Sequence, residues 1–182
     1  MTKGLQSIGF EKSPYLVSSA SVAGKKEGEG PLGKMFDMVE EEDLFGENTW
    51  EEAESTMQKE ACLLAMGKAH VQAGDVRYLF GGDLLRQGVA TSMGVEELGI
   101  PMFGLFGACS TSGEALALAS MSVAAGYGEY MLAVTSSHFG SAEKEFRFPL
   151  GYANQRHLSA QWTVTGSGAF LVGTRRSHVR IT

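Results

Sequence analysis

The sequence alternates short apolar segments with helical segments between residues 76 and 136. Val76–Phe80 is a predicted strand and residues 84–98 form a predicted helical segment. A second apolar strand then leads, through a glycine-containing turn, into a helix rich in small residues. Glu129–Ser136 is almost continuously apolar, which is typical of a strand covered on both faces. This alternation predicts an α/β fold whose parallel strands are joined by right-handed crossovers.

Further predicted elements flank this region. Residues 13–24 and 163–172 read as strands, and residues 178–182 resemble the start of one more strand. Thr49 and Glu52 have the spacing of a capping box, and an amphipathic helix is predicted from there to about His70. Cys62 lies beside the apolar stripe of that helix, so we expect it to be a packing residue.

Composition narrows the class of protein. The chain has 182 residues, is 43% hydrophobic and carries a formal net charge of −6, which predicts about one globular domain and argues against nucleic-acid binding. The first residues lack the pattern of a secretory signal, and no apolar run approaches the roughly 20 residues that cross a bilayer. The two cysteines do not form a disulfide framework. We therefore expect a protein that is not secreted and that reaches a membrane only through partners.

Cys109 lies at the joint between the second apolar strand and the small-residue helix. Ser110 and Thr111 follow it and are residue types that favour helix starts. A thiol at a helix N-terminus meets unpaired N–H groups and the positive end of the helix dipole, and both favour the thiolate. Cys109 is therefore a candidate nucleophile or a marker of an anion-binding pocket. The alternative is a buried, inert cysteine, because unpaired cysteines are among the most buried residue types.

Asp83 and His138, like Cys109, come directly after predicted strands. Functional groups of open α/β sheets gather beyond the carboxyl ends of the strands, so we expect these three side chains to share one site. For His138 the alternative is a hydrogen-bonded polar residue at a strand end.

Residues 139–162 are predicted to form a long loop or partly helical excursion rich in aromatic residues. Arg147 in this segment is a candidate clamp for a carboxylate, and a surface salt bridge is its alternative role. The segment could instead be a docking surface of a purely structural scaffold, through Phe146 or Trp162.

Six short motifs together carry a resemblance to a known family. They are GPLG at 30–33, GDLL at 82–85, LFGACSTS at 105–112, TSSH at 135–138, FRFP at 146–149 and TVTGSGA at 163–169. The Cys109 motif resembles the cysteine turn of the thiolase-like superfamily, and the full set resembles the stage V sporulation protein AD family within it. The resemblance implies two similar βαβαβαββ halves in an α/β/α/β/α sandwich. Residues 1–182 would then be the first half, a mixed and mostly parallel sheet with helices on both faces, and the second half would be absent from this chain.

The resemblance also implies a function. It implies a soluble component of a membrane complex that binds dipicolinic acid, or its calcium chelate, and helps to move it into the developing spore. The expected location is the cytoplasmic face of the spore inner membrane. Expected partners are dipicolinic acid, other proteins of that complex, and either the missing C-terminal half or a second copy of this chain. No cofactor and no metal site are expected, apart from calcium arriving within the chelate.

A flat ring with two carboxylates requires amide and hydroxyl donors, cations and an aromatic wall. The residues predicted to supply these groups are Cys109, Ser110, Thr111, His138 and Arg147. Asp83 is also predicted to line the pocket, although a carboxylate beside a dianion requires that it bind calcium, be protonated or orient another donor. The alternative function is a β-ketoacyl synthase-like or thiolase-like acyltransferase with Cys109 as nucleophile. The remaining catalytic groups of that superfamily would come from the second half, so we expect binding rather than catalysis from this chain.

Overall fold

The computed structural model describes residues 2–147 and 159–182. Nine strands are present in this part of the chain: β1 (Thr2–Lys3), β2 (Ser7–Ile8), β3 (Tyr15–Gly24), β4 (Met38–Glu40), β5 (Val76–Gly82), β6 (Met102–Gly104), β7 (Tyr130–Ser137), β8 (Gly166–Gly173) and β9 (Val179–Arg180). The α-helices described are α1 (Lys25–Gly28), α2 (Trp50–Ala69), α3 (Val89–Glu96), α4 (Thr111–Ala124) and α5 (Phe139–Phe146). Short 3₁₀ turns occupy Gly33–Met35, Ala73–Asp75, Arg86–Gly88 and Ala108–Ser110.

Seven of the strands form one mixed sheet in the order β4-β3-β8-β7-β5-β6, with β9 also paired to β3. β7, β5 and β6 pair in parallel, as do β3 and β4, whereas β8 lies antiparallel between β3 and β7. Apart from α1 and β4, which lie between β3 and α2, and α5, which lies between β7 and β8, the order β3-α2-β5-α3-β6-α4-β7-β8 is the βαβαβαββ pattern that the resemblance implies. The fold class predicted from the sequence is therefore confirmed.

Helices cover both faces of the sheet. On one face α2 packs against Leu132 and Val134 of β7 and Leu171 of β8. On the other face α4 packs against the intervening residues, including Met131 and Val172. Successive residues of β7 and β8 therefore face opposite cores, which explains why β7 is apolar almost throughout.

Sequence and structure differ mainly at element boundaries. The predicted helical segment 84–98 begins as a 3₁₀ turn, and only Val89–Glu96 is α-helical. β8 starts three residues later than predicted. Thr49 caps α2 as expected, since its side chain accepts a hydrogen bond from the Glu52 N–H. Within the described residues, no helix is both long and apolar enough to cross a membrane.

Candidate functional site

Two neighbouring cavities lie where the parallel strands end. The larger has a volume of about 630 Å³ and the smaller about 300 Å³. Their walls are contiguous at two points, because Ser137 lines the smaller cavity and His138 the larger, and Thr165 lines the larger and Gly166 the smaller. The two cavities thus share the same strand ends, but no single cavity holds all of the predicted site residues.

Cys109 lies in the smaller cavity, in a turn that its neighbours hold by internal hydrogen bonds. The Ser110 hydroxyl donates to the Gly107 carbonyl at 2.8 Å, and the Gly107 N–H donates to Thr111 Oγ1 at 2.9 Å. Ala108 has a φ of +49°, an unusual value for a residue with a side chain. Cys109 itself is exposed, so the alternative of a buried, inert cysteine is wrong.

Serine, threonine and glycine residues make up most of the smaller cavity's remaining wall. Ser110 and Thr111, the predicted donors, instead bond within their own turn, and neither lines the cavity as described. The other lining residues are Leu84, Ala108, Ser112, Thr135, Ser136, Ser137, Gly166 and Gly168. Sequence analysis therefore identified the cysteine but not the hydroxyls that accompany it.

Asp83 is a structural cap and lines neither of the two cavities as they are described. Its carboxylate accepts hydrogen bonds from the Leu85 N–H at 2.8 Å, the Thr91 N–H at 2.8 Å and the Thr91 hydroxyl at 2.6 Å. The residue is only 2% exposed. Both oxygens are used in holding the turn between β5 and α3, which gives Asp83 a structural role, and its contact with a ligand stays a prediction.

His138 caps α5 and lines the larger cavity. Its Nδ1 accepts a hydrogen bond from the Gly140 N–H at 3.0 Å, so Nε2 carries the proton that is donated to the Asp43 carbonyl at 2.8 Å. The alternative of a hydrogen-bonded polar residue at a strand end is therefore confirmed. His138 does not share a cavity with Cys109, since its neighbours in the chain turn it toward α5.

Cations and aromatic rings meet in the larger cavity. The Phe139 and Trp162 rings stack with centroids 4.0 Å apart, and Lys26 Nζ lies 4.3 Å from the Trp162 centroid. Arg147 also lines this cavity and donates to Glu143 at 3.0 Å, so its predicted alternative, a salt bridge, is present. Phe148 and Pro149 of the FRFP motif, with the rest of residues 148–158, lie outside the described residues.

The charges around the larger cavity are mixed. The cationic residues that line it are Lys25, Lys26 and Arg147. The acidic residues that line it are Glu27, Glu29, Asp43 and Glu143. The Glu27 Oε2 atom is buried and, within the described residues, has no hydrogen-bond partner. No group of three or more metal-ligating side chains is found in the described part of the chain. The side chains that line the cavity therefore offer both signs of charge to a ligand.

A buried polar network, which sequence analysis missed, runs beneath both cavities. Glu54 is fully buried and accepts hydrogen bonds from Ser136 and Ser141, each at 2.7 Å. Gln58, one helical turn later, donates to Ser136 at 2.7 Å and to Thr91 at 2.9 Å. Burial raises the pKa of Glu54 to about 7, although the two serine hydrogen bonds oppose this rise. The signal in the sequence is a Glu and a Gln at i and i+4 next to the apolar stripe of α2.

Comparison with known proteins identifies the family. Residues 4–182 match the family model of stage V sporulation protein AD (SpoVAD). The chain is 39% identical over 179 residues to stage V sporulation protein AD of Bacillus subtilis (strain 168), with 98% of this chain and 53% of that protein covered. This chain thus spans about half the length of that relative.

Solved structures with a similar fold include a 3-oxoacyl-[acyl-carrier-protein] synthase III and OleA. 3-Oxoacyl-[acyl-carrier-protein] synthase III of Aquifex aeolicus VF5 aligns with a TM-score of 0.59 at 16% identity. The alignment covers 91% of this chain and 54% of the synthase chain. Cerulenin-bound OleA of Xanthomonas campestris aligns with a TM-score of 0.59 at 14% identity. The alignment covers 90% of this chain and 57% of the OleA chain. At such identities the likeness concerns the fold alone, whereas the family follows from the sequence matches. The chain belongs to the stage V sporulation protein AD family.

Proposed function

We propose that this chain binds dipicolinic acid, or its calcium chelate, in the larger cavity. The observation that carries the proposal is the position of Lys26 and Arg147 in one cavity with the stacked pair Phe139 and Trp162. Dipicolinate is a flat aromatic ring with two carboxylates, so it requires cations at its edge and apolar walls at its faces. Arg147 offers a planar guanidinium that matches a carboxylate.

The mixed charges favour the chelate over the bare dianion. Carboxylates of Glu27, Glu29 and Glu143 line the cavity and would repel a dianion. A bound calcium ion reverses this effect, since hard divalent cations prefer oxygen ligands and the ion would face those carboxylates. The Glu27 Oε2 atom is buried and has no hydrogen-bond partner within the described residues, so it would serve as an oxygen ligand of that ion.

Cys109 has no direct part in this proposal because it lies in the neighbouring cavity. Asp83, Ser110 and Thr111 act indirectly, through the turns that they hold together. His138 positions α5, and with it Phe139, rather than contacting the ligand as a donor.

In its cellular setting, we propose that the protein acts with other proteins of a spore membrane complex that moves dipicolinate into the spore. It would be held peripherally at the cytoplasmic face of the spore inner membrane by those partners. The remaining half of the family fold, or a second copy of this chain, would cover the sheet end that carries Cys109.

Calorimetric titration with dipicolinate, with and without calcium, tests the binding proposal. We expect saturable heat for the wild-type chain, stronger binding with calcium, and weaker binding for Arg147→Ala. Isophthalate is a matched control ligand, because it has the same two carboxylates but no ring nitrogen with which to chelate calcium. No heat under any of these conditions would refute the proposal. Loss of binding in Cys109→Ala but not in Arg147→Ala would move the site to the smaller cavity.

A second candidate is acyl transfer through Cys109. The observation that favours it is an exposed thiol that follows the positive-φ residue Ala108 and lines a cavity with serine and threonine residues. A thiolate there would attack an acyl thioester, form a new thioester with the chain and release the leaving thiol. Incubation with acyl-CoA followed by mass spectrometry decides the question: an adduct on Cys109 supports transfer, and an unmodified chain excludes this candidate.

A further inference from the structure

Glu54 lines neither cavity, but it is hydrogen-bonded to a residue from the wall of one cavity and to a residue of the helix that borders the other. Ser136, at the end of β7, lines the smaller cavity beside Cys109, and Ser141 lies in α5, whose first residues line the larger cavity. The Glu54 Oε1 atom accepts from Ser136 and Oε2 accepts from Ser141. A single buried carboxyl group therefore fixes both serine hydroxyls.

The charges around Glu54 do not neutralise it. No cation pairs with it among the described residues. Asp83, from the turn between β5 and α3, and Glu51, on the same helix, both add negative potential. Lys144 of α5 is bound to Glu51, and both ring nitrogens of His138 are bonded elsewhere. Burial and these neighbours raise the pKa of Glu54 to about 7, so its charged and neutral forms are both populated near neutral pH.

The two forms place the Ser136 proton differently. Gln58 donates to Ser136 Oγ, so with ionised Glu54 the one hydroxyl proton of Ser136 is committed to that carboxylate. When Glu54 is protonated, its own O–H can donate to Ser136 Oγ at the same site. The proton of Ser136, which lines the smaller cavity, is then no longer committed to Glu54, and the negative charge of Glu54 is removed.

We propose that Glu54 is a positioning residue that controls, through Ser136, how well the Cys109 cavity accepts a negatively charged group, and that it takes up a proton when such a group binds. An anion in the cavity gains a hydroxyl donor and loses a repulsive charge only with neutral Glu54. Anion entry and proton uptake therefore favour each other. This linkage concerns the smaller cavity and does not depend on dipicolinate binding in the larger one.

The test compares alkylation of Cys109 by iodoacetate, an anion, and iodoacetamide, which is neutral. Both reagents react with the thiolate, so the ratio of their rates cancels the thiolate fraction and reports how the cavity treats charge. Cys62 does not interfere, because it is fully buried and burial raises its pKa to about 12. We expect the iodoacetate-to-iodoacetamide ratio to rise severalfold as the pH falls from about 8 to about 6, through the Glu54 pKa of about 7.

Variants separate this explanation from others. Glu54→Gln is neutral at every pH, so its ratio should be independent of pH and close to the acid value of the wild type. Ser136→Ala should lower the ratio at acid pH, and it remains informative if Glu54→Gln does not fold. Glu51→Gln and His138→Gln should keep the pH dependence. A ratio that is flat in the wild type, or that varies equally in Glu54→Gln, overturns the proposal.

Discussion

The Ser136 hydroxyl at the end of β7 donates a hydrogen bond of 2.7 Å to Glu54 on α2, although the two residues are 82 positions apart in the chain. The bond connects α2, which covers one face of the sheet, to the strand end where the two cavities meet. It also keeps an acid in a place that water does not reach, which has consequences for stability.

The first prediction concerns the pH dependence of folding. The pKa of Glu54 is raised from 4.5 to about 7 in the folded state, so between these values the folded chain binds more protons than the unfolded chain. The free energy of unfolding therefore decreases as the pH rises through this window, by up to about 3 kcal/mol from this group. Glu54→Gln lacks this loss and should be more stable than the wild type at about pH 8 by about 1–3 kcal/mol.

Urea unfolding of both proteins at about pH 5 and about pH 8 measures this difference. The two proteins should differ much less at the lower pH, where Glu54 is protonated in the folded state and most of the interval between its unfolded pKa of 4.5 and its folded pKa of about 7 has not yet been crossed. A variant that is less stable than the wild type at the higher pH would show that the ionised carboxylate is stabilising.

The second prediction concerns the two thiols. Cys109 is exposed, whereas Cys62 is fully buried and burial raises its pKa to about 12. Iodoacetamide should therefore modify one thiol of the native chain, and peptide mass spectrometry should locate it at Cys109. Both should react after unfolding in urea. Modification of Cys62 in the native chain at a similar rate would contradict the packing described for α2.

The third prediction concerns Gly82, at the end of β5. A Cβ at this position would collide with the Leu105 carbonyl oxygen and with the Thr111 side chain. Because both residues flank the Cys109 turn, relieving the collision would move that turn. Gly82→Ala should cost about 1–3 kcal/mol of stability. Gly67→Ala, in the last turn of α2, is the matched control: its Cβ meets nothing within 4 Å and should stabilise the chain by up to about 1 kcal/mol. Thermal unfolding of the two variants should thus shift in opposite directions.

The fourth prediction separates cavity charges from surface charges. Lys26 lines the larger cavity over Trp162, whereas Lys59 pairs with Glu97 at 3.0 Å and does not line it. Lys26→Ala should weaken dipicolinate binding about tenfold, the expected effect of losing one charged contact. Lys59→Ala should bind as the wild type does. Equal weakening in both variants would indicate a general effect of net charge.

The sequence predicted the fold more accurately than the site, for a physical reason. Apolar periodicity reports which faces are buried, so α2, β5, β7 and the cores on both sides of the sheet followed from it. It does not report which side of a strand end each polar residue faces. Asp83, Cys109 and His138 all follow strands, yet Asp83 bonds to α3, whereas His138 caps α5 and lines the larger cavity and Cys109 lines the smaller one.

Glu54 and Gln58 were missed for a related reason. Polar residues beside an apolar helix stripe ordinarily face solvent, and their burial depends on partners that are far away in the chain. Those partners, Ser136 and Thr91, become visible only when β7 and α3 are placed against α2.

Tryptophan fluorescence gives the most direct test of the dipicolinate site, because Trp50 and Trp162 are the two tryptophans of the chain and both line the larger cavity. Titration with dipicolinate and calcium, excited at the red edge of the indole band where the ligand does not absorb, should give a saturable change in emission. Arg147→Ala should shift this change to higher ligand concentration. Calorimetric binding without any change in tryptophan emission would contradict the account, since it would place the ligand outside the cavity that both indoles border.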